Sequence, residues 1–194
     1  MEHYLRNIFV QGVPRFMPRS QAEVDPSFKQ IIPYVIMACD GKYLTYVRGK
    51  RAGETRLLGL RSIGIGGHIN PVDNEIPLFD TPFYNKKTYT IAVEREVAEE
   101  VSVEANHTGS TDSIVALLND DSNEVGSVHL GIVHYWVLDE PKVNKREQMI
   151  TQMDFMRPEE LQKVRDTMET WSQLCLDNLG EMANKTEDDN KGIV

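Results

Sequence analysis

Long apolar runs are missing from this chain of 194 residues. No stretch approaches the roughly 18 apolar residues in succession that a membrane-spanning helix needs, so a helical integral membrane protein is excluded. Residues 1–6 also lack a basic segment followed by an apolar one, the pattern of a secretory signal. The sequence therefore predicts a cytoplasmic protein without a membrane partner.

Cysteine is scarce, with only Cys39 and Cys175 in the chain. The two lie far apart, each in an apolar stretch, which is typical of buried free thiols in a reducing compartment. A disulfide framework is not expected.

Positive charge is in deficit, with 21 Lys and Arg residues against 30 Asp and Glu residues and a net charge of −9. Binding to the nucleic-acid backbone needs a basic surface, so no DNA or RNA partner is expected. A small phosphorylated ligand remains compatible with this charge, because a divalent cation can bridge phosphate to carboxylates.

Apolar sequence is sufficient for one core, at 40% of the residues. Hydrophobic patterns predict strands at 31–38, 43–47, 102–107, 113–118, 128–138 and 153–156, and helices at 85–101 and 157–179. Asp40-Gly41 is a hairpin turn signal, and residues 70–85 and 139–150 are expected to be loops. This order of elements predicts an α/β fold in which a mixed β-sheet is flanked by helices. We expect a single domain over residues 1–180, with an N-terminal extension at 1–29 and a flexible acidic tail at 181–194.

Three carboxylates share one face of the predicted helix 85–101. Glu96, Glu99 and Glu100 are spaced i, i+3 and i+4, while Val93, Val97 and Val101 follow one another at i+4 on a different face. Like charges at this spacing repel by a few tenths of a kcal/mol. A solvated acidic face is one interpretation, and a site for a hard divalent cation such as Mg²⁺ is the other.

The surrounding motif favours the metal site. Gly66-Gly67, followed by Arg95-Glu96-Val97-Ala98-Glu99-Glu100, resembles the signature of the Nudix hydrolases. That signature reads G, five residues, E, seven residues, then R-E-U-x-E-E-x-G-U, where U is a bulky aliphatic residue. The resemblance covers about residues 30–178, and residues 62–70 are similar to a long-loop subgroup of predicted phosphoesterases.

Several functional properties are implied by this resemblance. The fold would be the α/β/α sandwich of the family. The reaction would be hydrolysis of a diphosphate bond in a nucleoside diphosphate linked to another moiety, with Mg²⁺, or alternatively Mn²⁺, as cofactor. The partner would be a small nucleotide-like molecule, and a homodimer is compatible with the sequence.

Site residues carry over from the motif. Glu99 and Glu100 would be metal ligands, Glu96 a ligand or the base, and the Gly67 carbonyl a further ligand, with Arg95 orienting the helix carboxylates. The general base stays open among Glu147, Glu124 and Asp121, and its position in the chain favours Glu147. Substrate-binding candidates are His68, Arg48, Arg51 and Arg15. Tyr34, Phe16 and Phe83 are candidates for stacking on a base.

The chain departs from the signature in three places. Twenty-seven residues, 68–94, separate Gly67 from Arg95, where the pattern has thirteen. The signature glutamate eight positions before Arg95 is replaced by Lys87, and the helix-ending glycine by Ser102. Substitutes for the missing glutamate are available in the long loop, at Asp73, Glu75 or Asp80.

Two other functions compete with hydrolysis. One is a nucleotide-sensing module without turnover, which Lys87 favours and the intact glutamates argue against. The other is isomerisation of an isoprenoid diphosphate, which would require an active-site cysteine and glutamate around the pocket, whereas Cys39 and Cys175 lie in apolar stretches.

Overall fold

The computed structural model describes residues 2–9, 13–49, 55–73, 86–109, 114–146 and 150–191. Its strands are β1 (Gln30–Cys39), β2 (Lys42–Arg48), β3 (Arg61–Ser62), β4 (Gly64–Ile65), β5 (Val101–Val103), β6 (His107–Thr108), β7 (Ile114–Leu118), β8 (His129–Leu138), β9 (Val143–Lys145) and β10 (Ile150–Met156). Its α-helices are α1 (Glu2–Ile8), α2 (Arg19–Ala22), α3 (Lys86–Glu100), α4 (Glu124–Ser127), α5 (Pro158–Lys163), α6 (Thr170–Leu176) and α7 (Leu179–Lys191).

A mixed sheet of eight strands is the centre of the fold. Its main order is β10-β2-β1-β8-β6, with β3 beside β2, β4 beside β1 and β7 beside β8. The long strands β1 and β8 pair in parallel over nine residues, from Gln30 opposite His129 to Ala38 opposite Val137. Both strands are buried on both faces, as expected for a parallel pair covered by helices. The strands β5 and β9 form a separate antiparallel pair.

The first hairpin forms where its turn residues predict it. Asp40 and Gly41 connect β1 to β2 with positive φ angles of 49° and 70°, and Cys39 lies opposite Lys42. Positive φ at both central residues is the type I′ turn, whose twist matches that of the paired strands.

Two hydrophobic layers enclose the sheet. On one face, Tyr89, Val93 and Val97 of α3 pack against side chains of β1 and β8. On the other face, the C-terminal helices contribute Leu161, Cys175, Leu176, Leu179 and Met182. The predicted α/β/α sandwich is therefore confirmed. Among the described residues, no helix combines the length and the apolar character needed to cross a membrane.

The C-terminal region differs from its prediction. Instead of one helix over 157–179, the chain forms α5, a 3₁₀ turn at Arg165–Thr167, α6 and α7. The break lies at Met168 and Glu169, which are extended because the Glu169 amide donates to the carbonyl of Arg61 at 3.0 Å. The segment predicted to be a flexible acidic tail continues as α7 to Lys191.

The predicted loop at 139–150 is also partly wrong, because β9 lies within it and pairs with β5. Only Val143 of its three residues is buried, so its hydrophobic pattern is weak. Residues 74–85, the larger part of the predicted long loop, lie outside the described residues, as does the predicted N-cap Asn85.

Candidate active site

The helix α3 presents valines to the core and carboxylates to a cavity. Val93 and Val97 are buried against the sheet, as their spacing predicts. On the adjacent face Glu96 is largely buried, whereas the Glu99 side chain is 52% exposed. The three carboxylates therefore lie at a boundary between the core and solvent.

Gly67 lies against the carboxylate of Glu96. A Cβ atom at Gly67 would stand 2.3 Å from Oε2 of Glu96, so any side chain there would displace this carboxylate. At the preceding residue, a Cβ on Gly66 would stand 1.8 Å from the carbonyl oxygen of Pro33. The two glycines let the backbone after β4 pass close to both β1 and α3.

Arg95 joins the loop to the helix through five hydrogen bonds. Its Nε and Nη2 donate to Oδ1 and Oδ2 of Asp73 at 2.6 and 2.8 Å. Its Nη1 donates to Glu96 Oε1 at 2.8 Å and to Glu99 Oε2 at 3.0 Å. A second bond from Nη2 reaches the carbonyl oxygen of His68 at 3.0 Å. Arginine suits this position because its planar fork offers five N–H donors in fixed directions.

The sequence left three candidates for the acidic partner of Arg95. Asp73 is the candidate that the structure shows in contact with it. Its buried carboxylate also accepts from the backbone N–H of Asn70 at 2.7 Å, just before the 3₁₀ turn Pro71–Asp73. Burial raises the pKa of Asp73, but the bonds from Arg95 and Asn70 outweigh it and hold that pKa below its ordinary value. The other candidates, Glu75 and Asp80, lie outside the described residues. Lys87 is exposed.

Glu96 has the opposite electrostatic environment. Burial raises its pKa, Arg95 opposes that effect, and the neighbouring charges of Glu99 and Asp73 add to it, so the pKa stands above its ordinary value. When burial disfavours the ionisation of a carboxyl group, an added cation stabilises its charged form. Glu96 is therefore an electrostatically suitable neighbour for a cation in addition to Arg95.

The glutamates open into a cavity of about 310 Å³. Its wall brings together residues from the helix, the glycine loop, the sheet and the C-terminal region. Gly67 belongs to the lining, and the polar lining side chains are those of Arg19, Arg48, His68, Asn70, Arg95, Glu96, Glu99, Glu100, Asn123, His129, Glu169 and Thr170. Tyr46 and Trp171 are the large aromatic residues of the cavity wall.

Arg48 stands in the cavity wall as half of a buried ion pair. Its Nε donates to Oε2 of Glu169 at 3.0 Å, and its guanidinium lies 5.6 Å from the centre of the Tyr46 ring. The other carboxylate oxygen of Glu169 accepts from Ser62 at 2.6 Å. The ion pair fixes Arg48 as a permanent positive charge in the wall.

Some residues expected at the site lie elsewhere. Arg15 does not line the cavity: its guanidinium stacks over the Phe28 ring at 4.5 Å, in a neighbouring groove that also contains Phe16. Tyr34 is buried on the other side of the sheet, where its hydroxyl bonds to Ser172 at 2.7 Å. Arg15, Phe16 and Tyr34 therefore do not line the cavity.

The structure describes two of the three candidates for the general base, and neither lies at the cavity. Asp121 is exposed and paired with Lys29, and Glu124 is exposed on α4, so neither lines the cavity. Glu147 lies outside the described residues, as do Arg51 and Phe83.

His129, Arg19 and Trp171 line the cavity although no sequence motif marks them. His129 begins β8, and its parallel pairing with β1 brings it to the glycine loop. His68 and His129 have ring centres 5.3 Å apart, in an edge-to-face arrangement. Only the order of strands in the sheet could have shown that these residues meet.

Comparison with known proteins identifies relatives over most of the chain. No family model matches it. The chain is 32% identical over 175 residues to Protein YmaB of Bacillus subtilis (strain 168), and the match covers 88% of this chain and 80% of that protein. It is 30% identical to Tm1382, a protein assigned to the Nudix hydrolases, with a TM-score of 0.64 over 84% of this chain and 77% of that one. The NUDIX domain of Shewanella oneidensis NrtR, solved with ADP ribose, shares the fold at 14% identity and a TM-score of 0.55 over 85% of this chain and 98% of that one.

Proposed function

This chain belongs to the Nudix hydrolase family, and from that premise we propose that it hydrolyses a diphosphate bond in a nucleoside diphosphate linked to another moiety, with Mg²⁺ or Mn²⁺ as cofactor. The observation that carries the proposal is the set of Glu96, Glu99 and Glu100 facing one cavity, with two of them held by Arg95.

The donor set around Gly67 fits a hard divalent cation. Glu96 Oε2 occupies the space that a side chain at Gly67 would fill, so the backbone of Gly67 lies beside this carboxylate. Arg95 takes only one oxygen of Glu96 and one of Glu99, which leaves the second oxygen of each for a ligand bond. The carboxylate oxygens of the three glutamates are not all within 4.8 Å of one another. A single Mg²⁺, with ligands at about 2.1 Å, could therefore take only some of these oxygens directly, while waters and substrate phosphates completed its shell.

The bound cation would neutralise the diphosphate and lower the pKa of a coordinated water. Glu96 would hold one position of the cation site, or accept the proton of the attacking water, since burial has already raised its pKa. Arg48 and Arg19 supply positive charge elsewhere in the wall, where they can orient phosphate oxygens. Arg95 would act as a positioning residue, because its bonds to described residues go to the loop and to the helix carboxylates.

The cysteines do not support an isomerase. Cys39 and Cys175 are buried, one on each face of the sheet, and neither lines the cavity. A thiol that transfers a proton to the substrate would have to line the cavity.

The decisive experiment is a Mg²⁺-dependent phosphate-release screen over nucleoside triphosphates, ADP-ribose, dinucleoside polyphosphates, NADH, nucleotide sugars and coenzyme A. With the best substrate, Glu99→Gln should lower kcat/KM by more than about 100-fold, beyond the loss typical of outer-shell partners of a metal. Glu94→Gln is the matched control, because Glu94 is exposed on the same helix outside the cavity lining. Binding without turnover across the whole panel would favour the sensing module instead.

A further inference from the structure

A second group of metal-ligating side chains lies around His68, whose carbonyl oxygen accepts a bond from Arg95. Glu23 follows α2, His68 follows Gly67, and His129 begins β8. His68 Nε2 is 3.3 Å from His129 Nε2, and Glu23 Oε1 is 3.8 Å from the former and 3.9 Å from the latter. Within the part of the chain that the structure describes, this is the one group of three His, Cys, Asp or Glu side chains whose ligand atoms all lie within 4.8 Å of one another.

The spacing matches one face of a tetrahedron. Zinc binds imidazole nitrogen and carboxylate oxygen at about 2.0–2.2 Å, so two ligands of a tetrahedral site stand about 3.3–3.5 Å apart. The histidine pair already has this distance, and each contact to Glu23 needs to close by only a few tenths of an ångström. An octahedral Mg²⁺ site would instead demand oxygen ligands, which two imidazoles do not supply.

The surrounding bonds prepare His129 as a ligand. Its Nδ1 lies 2.6 Å from the carbonyl oxygen of Val125, which can only accept, so Nδ1 carries the proton. The lone pair of the neutral ring is then on Nε2, which faces His68 and Glu23. A second-shell carbonyl of this kind fixes the tautomer and the orientation of metal-binding histidines. The His129 side chain is only 5% exposed, which holds this arrangement in place.

Other groups compete with a metal at this position. Arg19 Nε lies 3.2 Å from Glu23 Oε1, Arg56 Nη2 lies 2.7 Å from Glu23 Oε2, and the Gln30 amide nitrogen lies 3.2 Å from His129 Nε2. Arg19 is 51% exposed at its side chain and can turn into solvent, while the bond from Arg56 uses the other oxygen of Glu23. Gln30 can turn its amide away from Nε2.

We propose that Glu23, His68 and His129 form a binding site for Zn²⁺, completed by water. The metal would connect three segments that are remote in the chain: the N-terminal segment at Glu23, the glycine loop at His68 and the central sheet at His129. In that state the Nε2 atom of His68 is a metal ligand and does not contact substrate phosphate. The proposal does not depend on the hydrolase function, because the catalytic glutamates are not among its ligands.

Metal binding by the purified full chain tests the site. After removal of bound metal, Zn²⁺ is titrated in competition with a chromophoric chelator, and Co²⁺ is used as a spectroscopic substitute. We expect one tight Zn²⁺ per chain and, with Co²⁺, the intense visible absorption of a four-coordinate ion rather than the weak absorption of a six-coordinate one. Zn²⁺ should also raise the melting temperature, because it binds only the folded arrangement.

Variants then locate the bound metal. Glu23→Gln and His68→Gln should each weaken Zn²⁺ binding by more than about 100-fold, beyond the loss of an outer-shell partner. Both side chains are partly exposed, at 19% and 27%, so the folded state should survive, which circular dichroism checks. His107→Gln removes an exposed histidine elsewhere and should leave binding unchanged.

Glu99→Gln separates this site from the proposed catalytic one, since it should retain Zn²⁺ while losing hydrolysis. The proposal is overturned if wild-type protein binds no Zn²⁺ in this assay. It is overturned equally if Zn²⁺ binding disappears in Glu99→Gln or persists at full strength in the folded Glu23→Gln and His68→Gln variants.

Discussion

At the scale of single residues, Arg95 determines the geometry of the proposed metal face. It connects the carboxylate of Asp73 in the loop to Glu96 and Glu99 on the helix. The motif predicted such an arginine, but it could not identify its partner, because the expected acidic position is Lys87. The partner, Asp73, lies 22 residues before Arg95, and only the folded loop shows that the two meet.

Replacement of Asp73 by Asn should impair both stability and activity. The change removes the charge that Arg95 pairs with, while Arg95 keeps its bonds to Glu96 and Glu99. We expect a loss of about 1–3 kcal/mol in the free energy of unfolding, as for hydrogen bonds to charged groups. The concentration of Mg²⁺ needed for half-maximal activity should rise. Urea denaturation and a Mg²⁺ titration measure these effects, and Asp166→Asn, at an exposed position, is the control.

The contribution of Asp73 should depend on pH. Because the folded-state pKa of Asp73 is lowered, its stabilisation is present above the unfolded-state pKa near 3.8 and is lost as the pH falls through the lower folded-state pKa. The difference in unfolding free energy between wild type and Asp73→Asn should therefore be constant near neutral pH and shrink in acid. A difference that stayed unchanged down to pH values below the folded-state pKa would contradict the ion pair.

The two thiols should be unreactive in the folded protein. Burial, with a further contribution from Glu169, raises the pKa of Cys175 to about 12, and burial raises the pKa of Cys39. Thiolate is the reactive form, so a thiol reagent at pH 8 should modify neither residue before unfolding and both after it. Mass spectrometry counts the modified sites, and rapid labelling of either cysteine in native protein would refute the expectation.

At the scale of elements, the sequence predicts what local patterns determine. The strand β1, its hairpin turn and the helix α3 follow from apolar runs, from Asp40-Gly41 and from valines at i+4. The break between α5 and α6 could not be predicted in this way. It depends on Glu169, whose amide bonds to Arg61 and whose carboxylate bonds to Arg48 and Ser62, all more than a hundred residues away in the chain.

The same limit applies to the candidate site. The glutamates and Gly67 belong to one recognisable motif, so the sequence predicts them. His129 and Arg19 reach the cavity through strand pairing and through the packing of the N-terminal segment, which leave no local signal. The misplacement of Arg15 has the same origin, because the Phe28 ring that it stacks on could not be identified from spacing.

Helix α7 should contribute to stability although its sequence is acidic and polar. Met182 and Leu179 are buried in the layer that covers one face of the sheet, and Lys185 donates to the carbonyl of Val115 at 2.9 Å. Met182→Ala should lower the free energy of unfolding by about 2–5 kcal/mol, the usual range for such a truncation in a core.

Glu181→Ala is the matched control for that measurement, because Glu181 is the exposed neighbour of Met182 in the same helix. Equal and negligible effects of the two substitutions in chemical denaturation would indicate a frayed tail, as the sequence alone suggested.

At the scale of the whole molecule, the net charge of −9 separates two kinds of anionic ligand. A polymer would meet the acidic surface, whereas a small diphosphate would meet the cavity, where Arg19 and Arg48 stand. We expect no retardation of DNA or RNA in a gel-shift assay at physiological salt, with a basic nucleic-acid-binding protein as the positive control. A tight, salt-sensitive shift would contradict this expectation.

The parallel pairing of β1 with β8 has a consequence for how the protein acquires its structure. The two strands that form the middle of the sheet are about a hundred positions apart in the chain, from Gln30 to His129. Closing so long a loop is entropically unfavourable, and chains rich in distant contacts fold slowly. A ribosome must therefore synthesise the chain beyond Leu138 before the central pair can form, and until then the apolar residues of β1 have no parallel partner. Synthesis of this protein thus includes an interval in which the apolar strand β1 lacks the neighbour that covers one of its edges, a condition that favours aggregation.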